Sequence, residues 1–170
     1  MDEIGQLIAI EKIKILKARY FRGVDLKDWD LIRSVFAQDV VCDFRGAATN
    51  PETGFNPVPE ATSAIIHGIE DTVAAFKASA AHFRSVHHGH MPEIEMVSDT
   101  SAKGIWAMFD TLRFPAGPIA EITAYGHYYE TYEKVADDWK IKTIRLTRLR
   151  VDTVARSPSE PNGTEAFTCA

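Results

Sequence analysis

Apolar residues recur mostly at three- and four-residue steps from Ile4 to Val24, through Leu7, Ile8, Leu16 and Tyr20, a spacing that predicts an amphipathic helix. Asp25 falls just after it. Trp29, Ile32 and Phe36 make the apolar stripe of a shorter helix over 27–36, so the two elements predict a helical hairpin. Val40, Val41, Cys42, Asp43 and Phe44 then read as a strand, and Gly46, Asn50, Pro51, Gly54, Asn56, Pro57 and Pro59 punctuate a loop over 46–62. Loops of more than roughly 12 residues usually serve as lids or binding loops or are disordered, which marks this one as an expected cover for an active site. A third helix is predicted from Ile69 to about His82, where Ala74, Ala75, Phe76 and Ala78 favour it.

Beyond that helix the period changes. Four long strand-like segments follow, at 84–97, 101–114, 119–134 and 139–152. Turn signals part them at Ser98-Asp99, Pro115-Ala116-Gly117-Pro118 and Ala136-Asp137-Asp138. Helices first and then a meander predict an α+β fold, with a curved antiparallel sheet packed on N-terminal helices. One domain is expected over 1–154, with a polar tail over 155–170.

Parity along the strands shows which polar groups interrupt an apolar face. Trp106, Met108, Asp110 and Leu112 share a face on which Asp110 is the only charge, so Asp110 is expected inside the fold. An inward carboxylate needs a partner, because an unpaired buried charge is costly. Two arginines on the last strand compete for that role. Ile144, Leu146, Arg148 and Arg150 share one face, and Trp139, Ile141, Thr143, Arg145, Thr147 and Leu149 share the other. Both faces are partly apolar, and a bulge could switch the register midway. Parity leaves Arg145 and Arg148 open.

Composition narrows the function without naming it. The 170 residues hold 19 basic and 24 acidic side chains, a net charge of -5, and show no basic block of the kind nucleic acid requires. No apolar run approaches the ~20 residues that span a bilayer, and the first residues do not read as a secretory leader, so a soluble cytoplasmic protein is expected. Cys42 and Cys169 are too few for a disulfide framework.

Three of the six histidines crowd into Val86-His87-His88-Gly89-His90-Met91-Pro92-Glu93-Ile94. Imidazole titrates near neutrality, so such a cluster points to proton transfer or metal binding. A metal needs a third ligand and a second shell, and neither has a recognisable spacing, so no metal or cofactor is expected. Parity separates His87 from His88 and His90. His67, His82 and His90 are read as hydrogen-bonded structural residues. Tyr20 alone reads as core, and Asp25 alone as a capping or turn residue. His127, Tyr125 and Tyr129 read as ordinary sheet packing.

Three segments together resemble the SnoaL-like branch of the nuclear-transport-factor-2-like superfamily: Tyr20 to Asp30, His87 to Ile94, and Tyr132-Glu133-Lys134 with Trp139. The resemblance covers roughly residues 5 to 152 and is strongest to the bile-acid 7α-dehydratase and scytalone dehydratase group, with lindane dehydrochlorinase more distant. It implies a cone, a strongly curved sheet wrapped around helices with a deep pocket at one end. It also implies that Tyr20, Asp25, His87, Asp110 and Arg148 form the site, and it selects Arg148 where parity does not. Phe44 stands where scytalone dehydratase carries a tyrosine, and that enzyme's second active-site histidine has no clear counterpart. The implied activity is a cofactor-independent dehydratase acting on a cyclic or polycyclic hydroxy-ketone, with His87 as base and Asp25 behind it. A proton-shuttling isomerase and a non-catalytic binding module or partner subunit are the alternatives. An inward Arg148 would expose Trp139, Ile141, Thr147 and Leu149 on the other side of a regular strand, so a homo-oligomer is expected, a trimer ahead of a dimer.

Overall fold

A computed structural model describes residues 2–56 and 64–157. Helix α1 (Glu3–Leu26) begins where the Asp2 side chain accepts a hydrogen bond from the Gly5 N–H at 2.8 Å. It ends at Lys27, whose left-handed backbone (φ 58°) lets the Asp28 N–H reach the Gly23 carbonyl at 2.9 Å. Asp28 then caps α2 (Trp29–Val35) by accepting from the Leu31 N–H. The second helix is shorter than its apolar stripe predicts. Phe36, the last member of that stripe, already belongs to β1 (Phe36–Asp43), where a buried aromatic serves equally well.

A three-residue strand, β2 (Ile65–His67), follows the loop and was not legible in the sequence. Helix α3 (Ile69–Ala80) precedes the four long strands β3 (Arg84–Met96), β4 (Ser101–Arg113), β5 (Ile119–Val135) and β6 (Asp138–Ala155), each within a few residues of its predicted bounds. The sheet runs β2-β1-β6-β5-β4-β3, with β1 parallel to β6 and every other pair antiparallel. It is a mixed, curved six-stranded sheet with the helices on its inner face.

The core joins Ile13, Leu16, Tyr20 and Phe21 of α1 to Tyr128 and Tyr132 of β5 and Ile141, Ile144 and Leu146 of β6. Ile4, Leu7 and Ile8, which share the predicted helical spacing, are exposed, because only the later turns of α1 lie under the sheet. Two bulges set the inward side of β6. Between Ile141 and Ile144 the register slips, so Trp139, Ile141, Ile144 and Leu146 are all buried although their parities differ. This corrects the expected exposed face. Trp139 and Ile141 are core, and of the apolar residues expected on that face only Leu149 is exposed.

The loop after β1 is pinned where it is described. Asn50 donates to the Val151 carbonyl at 2.9 Å, and its side-chain oxygen accepts from the Glu52 and Thr53 N–H groups. The rest of the expected cover, 57–62, lies outside the described residues, as do Cys169 and the tail from 158. Among the described residues no helix is long and apolar enough to cross a membrane.

Candidate active site

The last turn of α1 carries Asp25 over β3. Ser85 and His87, two residues apart on that strand, share its inner face. Asp25 Oδ1 accepts from Ser85 Oγ at 2.8 Å and pairs with His87 Nδ1 at 2.6 Å, while Oδ2 accepts from the His87 backbone N–H at 2.9 Å. The capping role is taken by Asp28 instead, which frees Asp25 for this contact. A carboxylate held by three donors fixes one orientation of the imidazole, with Nδ1 bearing the proton.

The ring of His87 is nearly parallel to Phe21, with centroids 6.0 Å apart and planes 14° apart. Gly89 makes this packing feasible, since a Cβ there would lie 2.5 Å from Phe21 Cε2. The glycine of the histidine-rich segment is thus a steric requirement for the ring that steadies His87. His88 and His90 point the other way and stack on Phe109, at 4.9 and 5.9 Å. His67, His82 and His90 are exposed.

His87 and Asp110 are register partners across β3 and β4, which brings His87 Nε2 to 3.7 Å from Asp110 Oδ2. Asp110 is buried, and its Oδ2 accepts from Arg148 Nη2 at 2.8 Å. Arg148 also donates through Nε to the Ala47 carbonyl and lies 3.3 Å from Met108 Sδ through Nη1. Arg148 keeps the inward parity of Ile144 and Leu146, and the second bulge of β6 follows it, at Leu149, before Val151 is buried in turn. Gly126 faces Arg148 there, and a Cβ on it would stand 1.9 Å from the Thr147 carbonyl oxygen. Arg145 is exposed and lines a depression of about 620 Å³ with Glu93, Lys103 and Tyr129, in which none of the five predicted site residues takes part, and a second of about 350 Å³ that Arg148 also borders.

Tyr20, His87, Asp110 and Arg148 line one cavity of about 160 Å³. Its other walls are mostly apolar, with Phe44, Phe76, Phe83, Leu112 and Ile66 among them. Asp25 is not a lining residue and reaches the cavity through His87. Burial, with a hydrogen bond to Tyr128 adding to it, holds the Tyr20 phenol well above the ordinary tyrosine range, so it serves as a neutral hydrogen-bond donor. Among the described residues no group of three or more His, Cys, Asp and Glu side chains could hold a metal ion.

Residues 5–145 match the SnoaL-like domain. The chain belongs to the SnoaL-like family. A protein of Gibberella zeae named as a cyclase, FGR4, is 28% identical over 144 residues, which make up 78% of this chain and 86% of that one. A solved structure from Novosphingobium aromaticivorans bearing the name scytalone dehydratase superposes with a TM-score of 0.74 at 18% identity, covering 94% of this chain and 99% of that one. A type 2 hexachlorocyclohexane dehydrochlorinase, LinA, gives a TM-score of 0.76 at 17% identity, covering 95% and 99%. At such identities the two structures speak for the fold alone.

This SnoaL-like domain carries further polar groups that were not singled out from its sequence. Lys17, fully buried, donates to Glu130, which also accepts from Tyr132 OH; Trp106 Nε1 donates to that phenol at 2.7 Å. The Lys17 ammonium lies 3.6 Å from the Tyr128 ring centroid, 4.3 Å from Tyr20 and 4.7 Å from Phe21. A signal existed. Lys17 shares the apolar stripe of Ile13 and Tyr20, and Glu130 shares strand parity with Tyr128 and Tyr132, so each is one charge on a buried face. Ser85 was available by the same parity argument, two residues before His87.

Proposed function

We propose that this protein is a cofactor-independent lyase that removes water from a cyclic hydroxy-ketone, with His87 as its base. The observation that carries this reading is the 2.6 Å contact from His87 Nδ1 to Asp25, which leaves Nε2 on the side of the cavity residue Asp110. With Nδ1–H committed to a carboxylate, Nε2 offers its lone pair, and the imidazolium formed on accepting a proton is stabilised by Asp25. Nε2 removes a proton from the carbon next to the carbonyl, and the electron pair passes to the carbonyl oxygen. That oxygen's charge is met by the phenol O–H of Tyr20 or the guanidinium of Arg148. Collapse of the enolate forms the carbon–carbon double bond and expels the hydroxyl. The hydroxyl leaves as water with the proton returned from His87.

Membership of the SnoaL-like family, together with relatives named as a cyclase, a scytalone dehydratase and a dehydrochlorinase, supports an enzyme of lyase or isomerase type. Each named activity can begin with removal of a proton from carbon. The isomerase reading uses the same dyad and returns the proton to another carbon. A panel of cyclic hydroxy-ketones assayed by mass spectrometry separates the two, because dehydration lowers the product mass by one water and isomerisation leaves it unchanged. His87→Gln is expected to lower turnover by roughly two to four orders of magnitude while the far-ultraviolet circular dichroism stays as in the parent. Undiminished turnover in that variant would remove His87 from the mechanism.

A further inference from the structure

Asp110 is satisfied by the protein on one side only. Asp110 is a residue of the cavity wall; its Oδ2 accepts from Arg148, whereas its buried Oδ1 has no hydrogen-bond partner among the described residues. The residue is 3% exposed. A buried acceptor left unpaired costs on the order of 1–3 kcal/mol, and more when charged, so such a group calls for an explanation outside the fold. Arg148, the adjacent donor, is already directed to Oδ2, the Ala47 carbonyl and Met108. Other members of the cavity wall are Tyr20, His87 and Tyr128, beside a largely apolar remainder.

We propose that Asp110 Oδ1 is a recognition point for a ligand hydroxyl, so that the substrate carries a hydroxyl in addition to the one it loses. The second half of this inference rests on the dehydration reading above. A carboxylate paired with a guanidinium is an acceptor, so the ligand atom that meets it must bear hydrogen; a carbonyl or ether oxygen there would meet lone pair with lone pair. A cationic donor is disfavoured by Arg148 nearby, which leaves a neutral O–H or N–H, and the hydroxyl is the one that the hydroxy-ketone class proposed above supplies. That hydroxyl is not the leaving group. An anionic acceptor on its proton raises the electron density on its oxygen, whereas departure with the bonding pair needs a donor such as Tyr20.

The test is a titration of the full chain with cyclohexanol, cyclohexanone and methoxycyclohexane, followed by backbone amide NMR shifts of the cavity residues. One ring is the appropriate size, since an engineered apolar cavity of about 150 Å³ takes up benzene. Cyclohexanol is expected to bind about tenfold more tightly than methoxycyclohexane, the scale of one hydrogen bond to a charged acceptor. In Asp110→Asn, Arg148 keeps the amide oxygen turned toward itself. The amide nitrogen then occupies the Oδ1 position and donates into the cavity. The order should invert, with cyclohexanone ahead of cyclohexanol. Equal affinities for the three probes in the parent, or an unchanged order in a folded Asp110→Asn, overturn the proposal. If that variant does not fold, the parent series decides alone. Failure of the catalytic reading looks different: no hydroxy-ketone loses water, yet the preference for the alcohol persists, and the subsite stands without the claim about the substrate.

Discussion

Asp25 and His87 owe their geometry to three hydrogen bonds converging on one carboxylate, and receiving all three together takes acceptors on both of its oxygens. Asp25→Asn replaces one oxygen by an NH2 group and leaves too few acceptors for Ser85 Oγ, the His87 N–H and Nδ1–H. The amide then donates to Nδ1, and the imidazole proton moves to Nε2, the atom that must be free as a base. Nitrogen-15 NMR of the imidazole should show the protonated nitrogen change from Nδ1 in the parent to Nε2 in the variant. Turnover should fall by roughly 10⁴, the scale seen when a histidine is held in the wrong tautomer. An unchanged tautomer would show that Asp25 does not set it. At this scale the sequence was informative where a residue broke a pattern. Asp110 was the lone charge on an apolar strand face, and it is buried. Asp25 was ambiguous, because the local reading of an aspartate at a helix exit is a cap, and only the approach of β3, distant in sequence, shows otherwise. Lys17 and Glu130 broke patterns in the same way as Asp110 and become meaningful only as a pair brought together from α1 and β5.

Among the elements, long runs were legible and irregularities were not. The bounds of β3, β4 and β5 follow from alternation and turn residues, whereas the bulges of β6 leave no compositional mark. One changes the parity that buries Trp139 and Ile141, and the other lies beside Arg148. β2 is too short to show a period. Whether Arg145 or Arg148 enters the cavity was therefore decided by the first bulge, which turns Ile144, Leu146 and Arg148 to one side, and Gly126 is the residue that lets β5 approach β6 at the second. A methyl group at this position would lie 1.9 Å from the Thr147 carbonyl oxygen, a backbone atom that cannot rotate away. Gly126→Ala should therefore displace β6 from β5 at the bulge and weaken the contact of Arg148 with Asp110. Overpacking of this kind costs about 1–3 kcal/mol, which should lower the midpoint of thermal unfolding by several degrees. A variant as stable as the parent would mean that the bulge can relax without Gly126.

For the whole molecule, the curved sheet closes around a charged pair at the centre of its core, and this makes stability depend on alkaline pH in a defined direction. Burial pulls the Lys17 ammonium down to about 8, against the opposing pull of Glu130's charge and hydrogen bond. Between about 8 and the ordinary value of 10.5, the unfolded chain holds this proton more firmly than the folded one. Raising the pH through that window therefore favours the fold as far as Lys17 is concerned. The tyrosines packed around the pair act in the opposite sense. Burial raises Tyr20, Tyr128 and Tyr132 above the ordinary 10.0, so their contribution is present below that pH and is lost as unfolded tyrosines ionise above it. Lys17 should thus add stability from pH 8 to about 10, and the tyrosines should remove it beyond. The comparison that isolates the pair is the double variant Lys17→Met with Glu130→Gln, which removes both charges together and leaves an acceptor for Tyr132, because removing one partner alone would strand the other charge. Urea midpoints at pH 8, 9 and 10 should show the parent gaining stability relative to the double variant as the pH rises, with similar slopes against denaturant. A difference that stays flat over that range would mean that Lys17 keeps its proton throughout and that its attraction to Glu130 and the three aromatic rings outweighs the cost of burying it.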